Sequence, residues 1–211
     1  EPKPAGPIHY ARSLPMSKAL DPRVMLAYAM NGEKLSQAHG FPLRLIVPGW
    51  YAMASVKWLT RIIVSNKQFN GYFETIDYGY WDRSEGEPVR KPISEMLVKS
   101  QIAHPQLGEV LPADSNYLIT GAAWSGAAKI KQVEISTDGG VSWKPADIDG
   151  DRQSGVWSLW HYNWKTPAQR GEQVILSRAT DEKGNTQPSA HDLDRATYMI
   201  NFCLPIKVRV G

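Results

Sequence analysis

The chain has 211 residues, 42% of them hydrophobic and 21% charged, with a formal net charge of +3. That length accommodates one large domain or two small ones, and the hydrophobic share excludes a disordered chain. Apolar runs such as Leu43 to Val47 fall far short of the roughly 20 residues of a membrane helix, and basic residues no denser than Arg90-Lys91 are too diffuse for a nucleic-acid surface. A single cysteine, Cys203, excludes an internal disulfide and any cysteine-based metal motif within the chain. The opening Glu-Pro-Lys-Pro has neither an initiator Met nor an apolar h-region, as in a chain whose targeting segment has been removed or was never included.

Asp21-Pro22 reads as a cap and first-turn pair, which predicts a short helix through Val24–Met30 stopped by Gly32. Leu43 to Val47, between Pro42 and Pro48-Gly49, reads as a buried strand, and Trp58 to Val64 as a second one. Lys67 to Glu87, rich in Gly, Tyr, Asp and Asn, reads as a long surface loop. From about Pro92 short β-type runs recur between turn residues: Met96–Ile102, Tyr117–Ala123, Ile130–Ser136, Val156–Trp164, Gln173–Ala179 and Ala196–Val210. Such spacing predicts an antiparallel sandwich. Val133–Ser136 runs into Asp138-Gly139, where glycine supplies the positive φ of a tight hairpin, and Asp181–Asn185 separates the last two strands in the same way. The polar stretch from Ser84 to Pro92 carries the boundary, giving a mixed first part over 1–90 and an all-β second part over 91–211.

The five histidines have no i,i+4 partner and no carboxylate in metal spacing, so no metal-ligand set is assigned. Residues 39–59 are the most informative stretch. His39 and Arg44 lie before a strand-turn unit and Lys57 after it, and three cations around one turn suit an anionic ligand, especially a phosphate. Small residues at Gly49, Ala52, Ala54 and Ser55 let backbone N–H groups approach such a ligand. The competing reading is a buried hairpin with solvated basic ends. Trp143, Trp157, Trp160 and Trp164 read as core side chains more readily than as an aromatic binding face.

HGFPLRLIVPG followed by SVKWL resembles the signature of the sulfite oxidase family of molybdenum enzymes, in the domain that holds the pterin cofactor. HYARSLP and DPRVMLAYAMNGEKL are similar to the family's lead-in, and VEISTDGGVSW, AWSG and NTQP to its C-terminal immunoglobulin-like domain. The resemblance covers essentially the whole chain. It implies an α+β C-terminal part of a molybdopterin-binding domain followed by an all-β immunoglobulin-like sandwich of the dimerisation type. His39, Arg44, Ser55, Val56 and Lys57 match the family's molybdopterin-binding positions, Tyr78 its active-site tyrosine, and Arg195 its substrate-binding arginine. The implied activity is oxidation of sulfite to sulfate, with electrons passing to a c-type cytochrome or other haem acceptor, in the periplasm.

The family's metal-binding cysteine lies upstream of everything matched, in the N-terminal half of the cofactor domain. Cys203, placed by its apolar neighbours in the last strand, reads instead as a buried structural thiol. The implied partners are therefore that N-terminal half and, through the second domain, a homodimer or heterodimer mate. A rival from another class is a non-catalytic interaction module with a remnant of the pterin wall. Within the enzyme class, nitrate or another oxo-substrate could replace sulfite.

Overall fold

The computed structural model describes residues 5–150, 153–195 and 197–211. The opening four residues and Ala196, the expected start of the last strand, lie outside them. The chain divides into two units: one runs to Glu95 and includes Leu193–Met199, the other comprises Met96–Asp192 with Ile200–Gly211. The expected division at 90/91 falls inside a strand of the first unit.

Turn chemistry, more than periodicity, builds the first unit. One helical turn, α1 (Met16–Ala19), ends before Asp21. Asp21 then accepts hydrogen bonds from the Arg23 backbone N–H (3.0 Å) and guanidinium (2.8 Å), so it turns the chain instead of capping a helix. That pairing holds its carboxyl well below the usual carboxylate range. The expected Val24–Met30 helix is replaced by strands β1 (Met25–Ala27) and β2 (Ala29–Met30), the latter paired with β3 (Glu33–Lys34). The reason lies between them: Asn31 and Gly32 both take positive φ (53° and 82°), the conformation of a two-residue hairpin turn. Gly32 serves a hairpin, not a helix end.

Strand β4 (Arg44–Ile46) lies within the expected Leu43–Val47 run and pairs antiparallel with β1. The expected strand at Trp58–Val64 does not form. Ile62, Ile63 and Val64 are 67%, 72% and 80% exposed, and a strand without an apolar face to bury has little to stabilise it. The expected long loop is also more ordered than its composition implies. It contains a π-type turn over Phe73–Asp77 and then β5 (Gly79–Asp82), which pairs with β6 (Val89–Pro92). Among the described residues this unit has six short strands, one four-residue α-helix and a few 3-10 and π-type turns, so it carries less helix than expected and most of it is turn and loop.

The second unit contains β7 (Lys99–His104), β8 (Val110–Leu111), β9 (Asn116–Trp124), β10 (Ile130–Ser136), β11 (Lys144–Pro145), β12 (Asp147–Ile148), β13 (Ser158–Lys165), β14 (Gly171–Asp181) and β15 (Ile206–Val210). They form a five-stranded sheet in the order β11-β10-β14-β15-β8 and a four-stranded sheet in the order β12-β13-β9-β7. One apolar core, including Ile119, Val133, Trp160, Ile175 and Val208, takes side chains from both sheets. All pairs are antiparallel except β15 with β8.

Several details differ from expectation. Gly139 has the expected positive φ (76°), but the β10–β11 hairpin is wider than a tight turn. Asp138 folds its loop by accepting from the Ser142 N–H and hydroxyl. Asp181–Asn185 turns the chain after β14, yet β15 begins only at Ile206. Trp160 and Trp164 are core, whereas Trp157 is exposed and stacks on Trp124 at 5.1 Å, and Trp143 lies under the Arg178 guanidinium at 4.3 Å. Cys203 precedes β15; it is buried, and burial pushes its thiol up. Among the described residues no helix is long and apolar enough to cross a membrane.

Trp160 fits because its cross-strand neighbour is Gly121. A methyl there would lie 2.2 Å from Trp160 Cζ2 and 2.4 Å from the Gln101 backbone oxygen. Gly121→Ala should therefore lower stability by about 1–3 kcal/mol, read as a lower denaturant midpoint at unchanged slope. An unchanged midpoint would mean that the indole can move aside freely.

Candidate functional site

Residues 36–59 fold into a small cradle in the first unit. Ser36 precedes a single 3-10 turn, Gln37–His39, and its hydroxyl lies 2.7 Å from His39 Nδ1. Gly40 then takes φ +105°, a conformation that side chains rarely adopt. A methyl on Gly40 would lie 3.1 Å from both Arg44 Cβ and Lys57 Cβ, so the glycine lets the turn settle between these two side chains. Arg44 Nη1 donates to the His39 carbonyl (3.1 Å), Lys57 Nζ to Ala38 (2.7 Å) and Trp58 Nε1 to Gln37 (3.0 Å). Three consecutive carbonyls of the turn are thus held by side chains that also carry two positive charges.

Ser55 and Val56 sit in the same place but point their backbone partnerships inward. The Ser55 hydroxyl accepts the Val47 N–H (3.1 Å), and the Val56 carbonyl accepts the Leu45 N–H (2.9 Å). They tie the 55–59 segment to β4 and thereby fix where Lys57 emerges. The structure therefore brings His39, Arg44, Ser55, Val56 and Lys57 together. His39 and Lys57 are exposed, and Arg44 is half-buried with its Nε hidden and without a partner. A cradle of two cations, one with an orphaned buried donor, has the chemistry to take an anion.

Tyr78 and Arg195 belong to a different cluster of this unit. Tyr78 follows the π-type turn; its N–H donates to the Phe73 carbonyl (3.3 Å), and its own carbonyl accepts the Ile93 N–H (2.8 Å). Its ring meets Tyr198 edge-on at 5.0 Å and Tyr10 at 6.3 Å. Burial, then the neighbouring Asp77 carboxylate, pushes the Tyr78 phenol up, and the Arg12 cation opposes them. Arg195 sits in a short turn, Leu193–Arg195, with its guanidinium 5.0 Å above the Tyr80 ring. Asp194 of the same turn pairs with Arg83 (2.7 Å), which fastens this segment beside β5.

Sequence reasoning missed the segment Tyr10–Ser13. Tyr10 donates to the Met53 carbonyl (2.5 Å), Arg12 to the carbonyls of Phe73 (3.0 Å) and Ile93 (2.5 Å), and Ser13 to the buried Glu74 carboxylate (2.6 Å). Partners 43 to 81 residues away leave no local pattern to read. Arg90 adds to the same turn by donating to the carbonyls of Thr75 and Ile76.

Desolvation pushes the Tyr10 phenol up to about 12. The folded protein thus holds this proton more tightly than the unfolded chain. The stability it contributes is full below about pH 10 and is lost as pH rises through about 12. Tyrosinate absorbance should show a step near pH 12 that Tyr10→Phe removes, and the variant's stability should decline less over that window.

Comparison with known proteins gives a consistent result. A model of the oxidoreductase molybdopterin-binding domain matches residues 3–73, and one of the Mo-co oxidoreductase dimerisation domain matches residues 90–210. Mitochondrial sulfite oxidase of Drosophila melanogaster is 40% identical over 221 residues, covering 95% of this chain and 39% of that protein. The Rattus norvegicus enzyme is 34% identical over 192 residues, covering 85% and 35%. NADH nitrate reductase 1 of Phaseolus vulgaris is 34% identical over 222 residues, covering 94% and 25%. Among solved structures, the sulfane dehydrogenase SoxCD of Paracoccus pantotrophus superposes with a TM-score of 0.78 at 33% identity, over 92% of this chain and 50% of that chain. The chain spans well under half the length of these curated relatives.

Proposed function

Because the chain belongs to the sulfite oxidase family of molybdopterin oxidoreductases, as its C-terminal portion, we propose that it supplies one wall of the cofactor site in an enzyme oxidising sulfite to sulfate. The observation that carries this reading is the turn around Gly40, where Arg44 and Lys57 converge with an unpartnered guanidinium nitrogen inside the molybdopterin-domain match. Arg44, Lys57 and His39 would hold the cofactor's phosphate and pterin edge, with Ser55 and Val56 fixing the backbone that presents Lys57. When bound, the molybdenum cofactor supplies two-electron oxygen-transfer chemistry.

In this reading Tyr78 is the chain's own group near the reacting centre. Its phenol, kept protonated by burial, can donate a hydrogen bond to an oxyanion. Arg195 would add positive charge for a dianionic substrate. The electrons go to a haem acceptor such as a c-type cytochrome, and the enzyme works in the periplasm. The first unit is the C-terminal part of the cofactor domain, and the second an immunoglobulin-like sandwich. The two-sheet core and the dimerisation-domain match of the second support a homodimer or heterodimer built on it. Exposed Ile62, Ile63 and Val64 suit burial under the N-terminal half of the cofactor domain, which would also bring the metal-binding cysteine. The likeness to a sulfane dehydrogenase favours one second reading, a sulfane sulfur in place of sulfite.

Two variants of the full enzyme test these roles. Arg44→Ala should lower molybdopterin content while leaving the fold intact by circular dichroism; full occupancy with only a raised KM for sulfite would make Arg44 a substrate residue. Tyr78→Phe, assayed by sulfite-dependent cytochrome c reduction, should lose roughly 10- to 100-fold in kcat/KM, about 1.4–2.7 kcal/mol of transition-state stabilisation. Turnover of a sulfane donor but not of sulfite would select the second reading.

A further inference from the structure

The two residues whose backbone holds Tyr78 are the two whose carbonyls Arg12 grips. Tyr78 donates its N–H to the Phe73 carbonyl and accepts the Ile93 N–H on its own carbonyl. Arg12 donates Nη1 to that same Phe73 carbonyl (3.0 Å) and Nη2 to the Ile93 carbonyl (2.5 Å). Phe73 and Ile93 are 20 positions apart in sequence, one opening the π-type turn and one following β6. A single planar guanidinium therefore spans the backbone on both sides of Tyr78. Its neighbours on the same segment add two further holds. The Tyr10 ring packs 5.2 Å from Phe73, and Ser13 binds the Glu74 carboxylate through its hydroxyl (2.6 Å) and its N–H (3.0 Å).

We propose that Arg12 is the positioning residue for Tyr78, locking the π-type turn so that the phenol has one orientation at the reacting centre. The proposal rests on the reading of Tyr78 given above. The physical reason is geometric. A π-type turn widens the backbone ring and lacks the regular bonding of an α-helix, so its terminal residue is fixed only by what is attached to it. An arginine fork has donors in fixed relative directions and can hold two carbonyls in one geometry; a lysine's three donors share one ammonium on a flexible stem and fix no such directions. The cation also acts on the phenol through space, opposing the effect of burial on Tyr78 as it does on Tyr10. The fold could join Phe73 to Ile93 with apolar side chains; a half-buried arginine whose hidden Nε has no partner is a costly way to do it unless placement matters.

The experiment uses the full cofactor-loaded enzyme with Arg12→Gln, Arg12→Lys and Tyr78→Phe, singly and in the Arg12/Tyr78 combinations. Arg12→Gln should lower kcat/KM about tenfold, act mainly on kcat, and have almost no further effect in the Tyr78→Phe background. Arg12→Lys should fail to restore activity, and it carries the comparison if the Gln variant does not fold. Hydrogen exchange at the Tyr78 and Ile93 amides should quicken in both Arg12 variants, with the Leu45 and Leu59 amides unchanged. Multiplying losses in the double variant, full activity in Arg12→Lys, or loss of protection throughout the unit would each overturn the proposal. If the local exchange changes appear but Tyr78→Phe is fully active, the role of Tyr78 fails while the clamp stands.

Discussion

The absent side chain at Gly40 is the constraint on which the candidate site depends. Arg44 leaves the start of β4 and Lys57 the segment that returns beside it, and each has its Cβ 3.1 Å from where a methyl on Gly40 would lie. With φ at +105° the position is doubly restrictive, because an L side chain would meet backbone strain before it met its neighbours. The close approach allows Arg44 and Lys57 to reach the carbonyls of His39 and Ala38. Two cations that would repel each other in isolation are held at one turn by carbonyl dipoles, and the field there favours an anion.

The second unit is held by a different device. Gln187 is buried, and its side-chain amide acts as a peptide group would. Oε1 accepts from the Ser100 N–H (2.8 Å) and the Ala179 N–H (3.2 Å), while Nε2 donates to the carbonyls of Ser100 (3.2 Å) and Phe202 (3.1 Å). Ser100 lies on β7 of the four-stranded sheet and Ala179 on β14 of the five-stranded one, so one amide ties both sheets together. Asp181, at the end of β14, is likewise buried and fully engaged with Ser125, Lys183 and Asn185, which hold its carboxyl below the ordinary range against the opposing effect of burial. The Asn185–Pro188 stretch thus closes an edge of the sandwich. Its sequence pattern reflects buried polar satisfaction, not surface recognition.

Where local chemistry decides, the sequence was readable. Ile130–Ser136 is a strand with the expected limits because it alternates and is followed by turn residues. Arg44 and Lys57 stood out because charges flanking a short apolar run are unusual. Val24–Met30 misled because its apolar run has no preference strong enough to resist Asn31-Gly32, and the hairpin turn decided the matter. Trp58–Val64 misled for the opposite reason: its β-type residues Ile62, Ile63 and Val64 stay exposed and bury no apolar face. Arg12 was illegible because its partners lie 61 and 81 residues away. Nothing in HYARSLP distinguishes a clamp from a surface arginine.

The two units therefore hold together by different balances, and the difference bears on function. In the second unit the buried apolar side chains other than Cys203 form one cluster, and polar groups such as Gln187 complete it. In the first, the buried hydrophobics among the described residues are only Leu35, Val47, Ala54, Ile93 and Met199. Cationic side chains do the joining there: Lys18 to Pro48, Arg12 to Phe73 and Ile93, Arg44 to His39, Lys57 to Ala38, and Arg90 to Thr75. A charged donor on a carbonyl is a stronger hydrogen bond than a neutral one, which suits a unit with little apolar area to bury. It also means that ligand and fold draw on the same donors. An anion seated on Arg44 and Lys57 would meet side chains already restrained by the turn they support, so little conformational freedom remains to be lost on binding.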